Sequence, residues 1–79
     1  MIYKSVMIEV NFHENQARTY SRLASDNLAV AMAEETNLER KKEYLGYAED
    51  YSLYAQKELT KAYRILSNEL HEANVNKSK

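Results

Sequence analysis

Apolar and polar positions follow a helical period over most of this chain. From Thr36 to about Ala73 two apolar stripes run side by side. The first comprises Leu38, Leu45, Ala48, Ala55, Leu59, Ala62, Leu66, Leu70 and Ala73, with Ser52 in register, at spacings of mostly three and four. The second comprises Tyr44, Tyr47, Tyr51 and Tyr54, with Ile65 further along the same side. The stretch has no proline, one glycine and five of the seven tyrosines. One stripe is enough to bury a helix against one neighbour. The expectation is therefore that the Leu/Ala stripe closes a helical hairpin and the tyrosine stripe meets another subunit, a partner or a ligand.

Upstream, Asn11-Phe12-His13-Glu14 has the form of a helix start, an N-cap type followed three residues later by glutamate. The helix it opens would run 11–35, with Ala17, Tyr20, Leu23 or Ala24, Leu28, Ala31 and Met32 on its inner face. Thr36-Asn37-Leu38-Glu39 fits a second capping box, Thr36 accepting from the Glu39 amide while Glu39 reaches back. Glu34 and Glu35 suit the start of a helix better than the end of one. The break thus falls at Glu35–Asn37, and so short a connection favours antiparallel neighbours.

Two segments flank these helices. Ile2, Val6, Ile8 and Val10 alternate as in a strand, while Ile2, Val6 and Val10 also sit at i, i+4 and i+8 of a helix. Residues 1–10 are read as an arm, strand or helix, and 74–79 as a disordered polar tail. At ~1.5 Å per residue the long helix, 36–73, would measure about 57 Å against about 36 Å for the first. Its C-terminal turns, with Ile65, Leu66 and Leu70, need cover from the arm or from another subunit, and with Tyr54 they form the expected interface. The expected fold is a single all-α domain, an antiparallel helical hairpin with a long second helix and a short N-terminal arm, assembled as a homo-oligomeric helical bundle.

Composition narrows the function. A chain of 79 residues has little interior for a private active site, and no cysteine is present for disulfides or zinc thiolates. Eleven basic against twelve acidic residues, spread over both halves, argue against coating duplex DNA. No apolar run approaches the ~20 residues of a membrane span, and the N-terminus lacks an export-signal pattern, so a cytoplasmic location is expected. His13 and His71 are the only histidines, and no Glu-x-x-His pair, phosphate loop or nucleophile elbow occurs. No cofactor, metal or catalytic residue is assigned, and the chain is not expected to be an enzyme.

Two features could hold a ligand. Arg40-Lys41-Lys42 places three cations in the first turn of the long helix, against its dipole. Neighbouring glutamates could balance them, or a bound phosphate could. Tyr44, Tyr47 and Tyr51 lie one to three turns on, where rings either pack between helices or stack on a base. Arg40, Lys41, Lys42, Tyr44, Tyr47 and Tyr51 are the candidate ligand-binding residues. Gly46, off both stripes, costs about 1 kcal/mol in a helix and would admit a close approach.

The segment Glu39–Leu59 resembles the phage anti-CBASS sponges that sequester cyclic oligonucleotide signals, a family related through a shared helical hairpin to sponges of the Thoeris signal. The corresponding residues are Glu39-Arg40, Ala48-Glu49-Asp50-Tyr51 and Tyr54-Ala55-Gln56-Lys57, about a quarter of the chain. The first pair is reversed relative to the family and apolar positions become tyrosine. The resemblance implies a phage-encoded, non-enzymatic homo-oligomer acting in the host cytosol, holding a cyclic oligonucleotide between subunits. The alternative is a small interaction module or inhibitor that binds a host protein through its tyrosine-rich face.

Overall fold

The computed structural model describes residues 4–77, with side chains to Ala73; Ile2 and Tyr3 of the expected arm and the end of the expected tail lie outside those bounds. Helix α1 spans Lys4–Ala33 and helix α2 spans Leu38–Lys77. They pack along their length as an antiparallel hairpin 65 × 17 × 11 Å, and no strand occurs among the described residues.

The seam between the helices repeats every seven residues and is built from small side chains. Val10, Ala17, Ala24 and Ala31 of α1 are all buried, as are Ala55 and Ala62 of α2, with Ala48 half-buried in the same register. Beside this alanine row runs a second one of larger groups. Val6, His13, Tyr20 and Asn27 on α1 are half-buried, as are Tyr44, Tyr51, Glu58 and Ile65 on α2. His13 bonds Glu58 and Tyr20 stacks beside Tyr51, which fixes the register. The same register sets Val6 level with Ile65 and Asn27 level with Tyr44.

Four expectations change. The arm is helical from Lys4, because Val10 heads the buried row and Val6 lies half-buried a turn before it; both positions serve a helix and only one pattern could be used. Asn11 is therefore no helix start, and α1 gains enough length to reach Ile65 and Leu66, while the last turns of α2 beyond Ser67 extend past its start. Helix α2 continues past Ala73 to Lys77, so the polar tail begins as helix. The Leu/Ala stripe also divides. Its alanines close the hairpin, whereas Leu45 and Leu59 stay 44% and 53% exposed and Leu38 reaches 71%.

The connection, residues 34–37, is held by polar contacts rather than by glycine. The Asn37 side-chain oxygen accepts from the Arg40 amide at 3.0 Å, making Asn37 the N-cap of α2 in place of Thr36. The Glu34 carboxylate accepts from the Asn37 amide at 2.9 Å and from the Thr36 hydroxyl at 3.4 Å. The expected reciprocal box between Thr36 and Glu39 does not form: Asn37 caps the Arg40 amide, and the Asn37 amide is taken by Glu34 from the upstream side, because Arg40 at the third helical position has no acceptor to reach back with. At the other end, the Lys41 ammonium donates to the Ala31 and Glu34 carbonyls at 2.9 and 3.4 Å. A cation from α2 thereby adds to the Glu34 amide, which donates to the Ala31 carbonyl at 3.3 Å, in closing the end of α1, whose last turn has no basic residue of its own.

Candidate functional site: a tyrosine face and a leucine strip

The three cations at the start of α2 point three ways. Arg40 lies 3.6 Å from the Glu34 carboxylate and 5.2 Å over the Tyr44 ring. Lys41 turns inward to the carbonyls of α1. Lys42 faces outward and lines a shallow dip with Arg40, Gly46, Tyr47 and the carboxylates of Glu39, Glu43 and Asp50. The Asn37 amide, with Thr36 and Arg40 adding to it, holds the Glu34 carboxyl below the ordinary carboxylate value. Two of the three cations are therefore engaged within the chain, and the α2 amide at Arg40 is already bonded.

On the same edge the tyrosines form a ladder. Tyr44 and Tyr47 meet edge to face at 5.5 Å, Tyr51 and Tyr54 at 6.3 Å. Tyr20 joins from α1, 6.2 Å from Tyr51 and 5.5 Å from Tyr54. A base held between two rings needs parallel planes about 7 Å apart, two van der Waals gaps. Only Tyr20 and Tyr51 approach parallel, at 22°, and they already lean on each other across the seam. The ladder is anchored at its rim: the Tyr47 hydroxyl donates to Glu43 at 2.8 Å, which pushes its pKa up, and Lys57 sits 5.7 Å over the Tyr54 ring. Tyr47 and Tyr54 remain the outermost rings, 41% and 47% exposed.

Of the expected interface residues, Tyr54 and Leu70 are exposed while Ile65 and Leu66 are half-buried. The early turns of α1 give Ile65 its intrachain cover. Leu66 and Leu70 belong to the opposite edge, where Leu38, Leu45, Leu59 and Leu66 recur on a seven-residue register with Ser52 in the middle. Leu28 borders them from α1, and the floor of the resulting groove is Ser21, Ala24, Ala48 and Ala55. The hairpin thus carries an aromatic edge and an aliphatic one.

The contact that sequence reasoning passed over is His13–Glu58. The His13 Nδ1 lies 2.5 Å from the Glu58 carboxylate, both side chains mostly covered, with Lys61 at 3.5 Å on the other oxygen. The His13 hydrogen bond, with Lys61 adding to it, lowers the Glu58 pKa against the opposing effect of burial. The signal was present in the spacing, since His13 falls seven residues from both Val6 and Tyr20. Among the described residues no group of acidic and histidine side chains is arranged to hold a metal ion, and no helix is long and apolar enough to cross a membrane. No family model, no curated protein and no solved structure matches this chain.

Proposed function

We propose that this chain is a binding protein that acts without turnover, its tyrosine face being the contact surface for a partner protein. The observation that supports this is the row of tyrosines along one edge, packed ring to ring in two groups, Tyr44 with Tyr47 and Tyr20 with Tyr51 and Tyr54, and exposed at Tyr47 and Tyr54. Rings already braced by Glu43 and Lys57 lose little freedom when covered, and tyrosine concentrates at binding hot spots for that reason. The test is affinity capture with the wild-type chain and with Tyr47→Ala/Tyr54→Ala. A protein retained by the first and lost by the second, then reconstituted from purified components, is the expected result. Equal retention by both would refute the assignment of the face.

A second reading, sequestration of a cyclic oligonucleotide, draws on the dip where Arg40, Lys42 and Tyr47 converge. The three carboxylates in that dip oppose a phosphate, and Lys41 is committed elsewhere, so this reading ranks second. It requires that cyclic di- or trinucleotides raise the melting temperature in the absence of any protein partner. Lys42→Glu would then abolish the shift.

A further inference from the structure

The hairpin exposes far more surface than a folded chain of its mass should. A compact monomer of 9.2 kDa presents about 4,900 Å², whereas this one presents 6440 Å². The radius of gyration, 18.2 Å, compares with about 12 Å for a compact domain of this length. The excess, about 1,500 Å² per chain, matches the contribution of one subunit to an obligate homodimer interface. The interior gives the complementary view: among the described residues the buried hydrophobic ones are alanines apart from Val10, and no large side chain is fully buried.

We infer that a second copy of this chain covers the leucine strip, producing a two-fold assembly of four helices. Three properties of the strip specify a copy rather than an unrelated partner. Leucines on a seven-residue register along α2 are the pattern that meets another long helix, and their run from Leu38 to Leu66 requires an occupant nearly as long as the hairpin itself. The strip is self-complementary, because the large Leu45 and Leu59 alternate with the small Ser52, and the Ser/Ala floor leaves room for knobs from outside. A net charge of −1 places almost no repulsion between two copies. This assembly leaves the tyrosine edge free, so it stands or falls apart from the proposed partner contact.

Sedimentation of the wild-type chain tests the inference directly. The expected mass is twice 9.2 kDa, and the melting temperature should rise with protein concentration, as mass action demands of a dimer. Leu45→Glu/Leu59→Glu should sediment as a single chain or lose its helical signal at the same concentration. Tyr47→Ala/Tyr54→Ala, on the other edge, should remain dimeric. A wild-type monomer at about 100 µM with a concentration-independent melting temperature would overturn the inference. So would a dimer that survives the leucine substitutions or is lost with the tyrosine ones.

Discussion

Gly46→Ala should stabilise this protein, and the size of the effect can be worked from the structure. Gly46 lies within α2 on the side away from α1, and no described residue has a positive φ that would demand glycine. A Cβ built there meets nothing within 4 Å, so the methyl group enters open space without strain. What remains is the helix-propensity difference, about 1 kcal/mol in favour of alanine, arising from backbone freedom in the unfolded chain. For a domain of this size that corresponds to a rise of about 4–8 °C in melting temperature. In a two-chain assembly the gain appears twice, about 2 kcal/mol per pair. Circular-dichroism melts at matched concentration measure it, and urea titration should move the midpoint without changing the slope. A fall in melting temperature would refute the reasoning, because it would require something to press on Gly46 in the native protein. A gain accompanied by lost partner capture would place the partner over the dip beside Tyr47.

Other perturbations follow from the caps, the seam and the half-buried His13–Glu58 contact. Asn37→Ala removes the acceptor for the Arg40 amide and should cost about 1 kcal/mol in urea-unfolding free energy. Lys41→Met strips the donor from the Ala31 and Glu34 carbonyls, with a loss of similar size, about 1 kcal/mol, read the same way. Ala55→Leu forces a large group into the alanine row and should destabilise by about 1–3 kcal/mol, whereas the same exchange at exposed Ala29 should be tolerated. The pKa of Glu58 is lowered on folding, so its contribution is present above the ordinary carboxylate value of 4.5 and is lost as pH falls below it. Urea midpoints followed from neutral to acidic pH should drop more steeply below 4.5 for the wild type than for Glu58→Gln.

The hairpin was legible because its signals are local. Glu34, Thr36 and Asn37 are cap types wherever they stand, and they place the break to within a residue. The arm was not, since Val6 and Val10 satisfy two periods and only the surface of α2 chooses between them. The same holds for the two stripes of α2. The alanines at 48, 55 and 62 were read with the leucines, but the side that turns inward depends on α1, where His13 and Tyr20 flank the alanine row on the edge that meets Tyr51 and Glu58. The leucines are displaced by that choice, a tertiary decision no single-helix period can express. At the candidate site, the ring-to-ring ladder and the inward turn of Lys41 were likewise hidden. Residue types gave the cations and rings, but their direction is set by carbonyls and carboxylates of the other helix.

The strict recurrence of Val10, Ala17, Ala24 and Ala31 has a geometric consequence. An ideal straight helix drifts by about 20° over seven residues, so these four positions would rotate out of line by about 60° from first to last. All four stay buried, and the helices must therefore wind around each other with a left-handed sense. Every feature carried on the outside winds with them. The leucine strip and the tyrosine ladder are then two threads of a shallow screw rather than two flat sides. A straight rod laid on either thread would part from it toward one end, and a surface that follows it throughout must carry the same pitch.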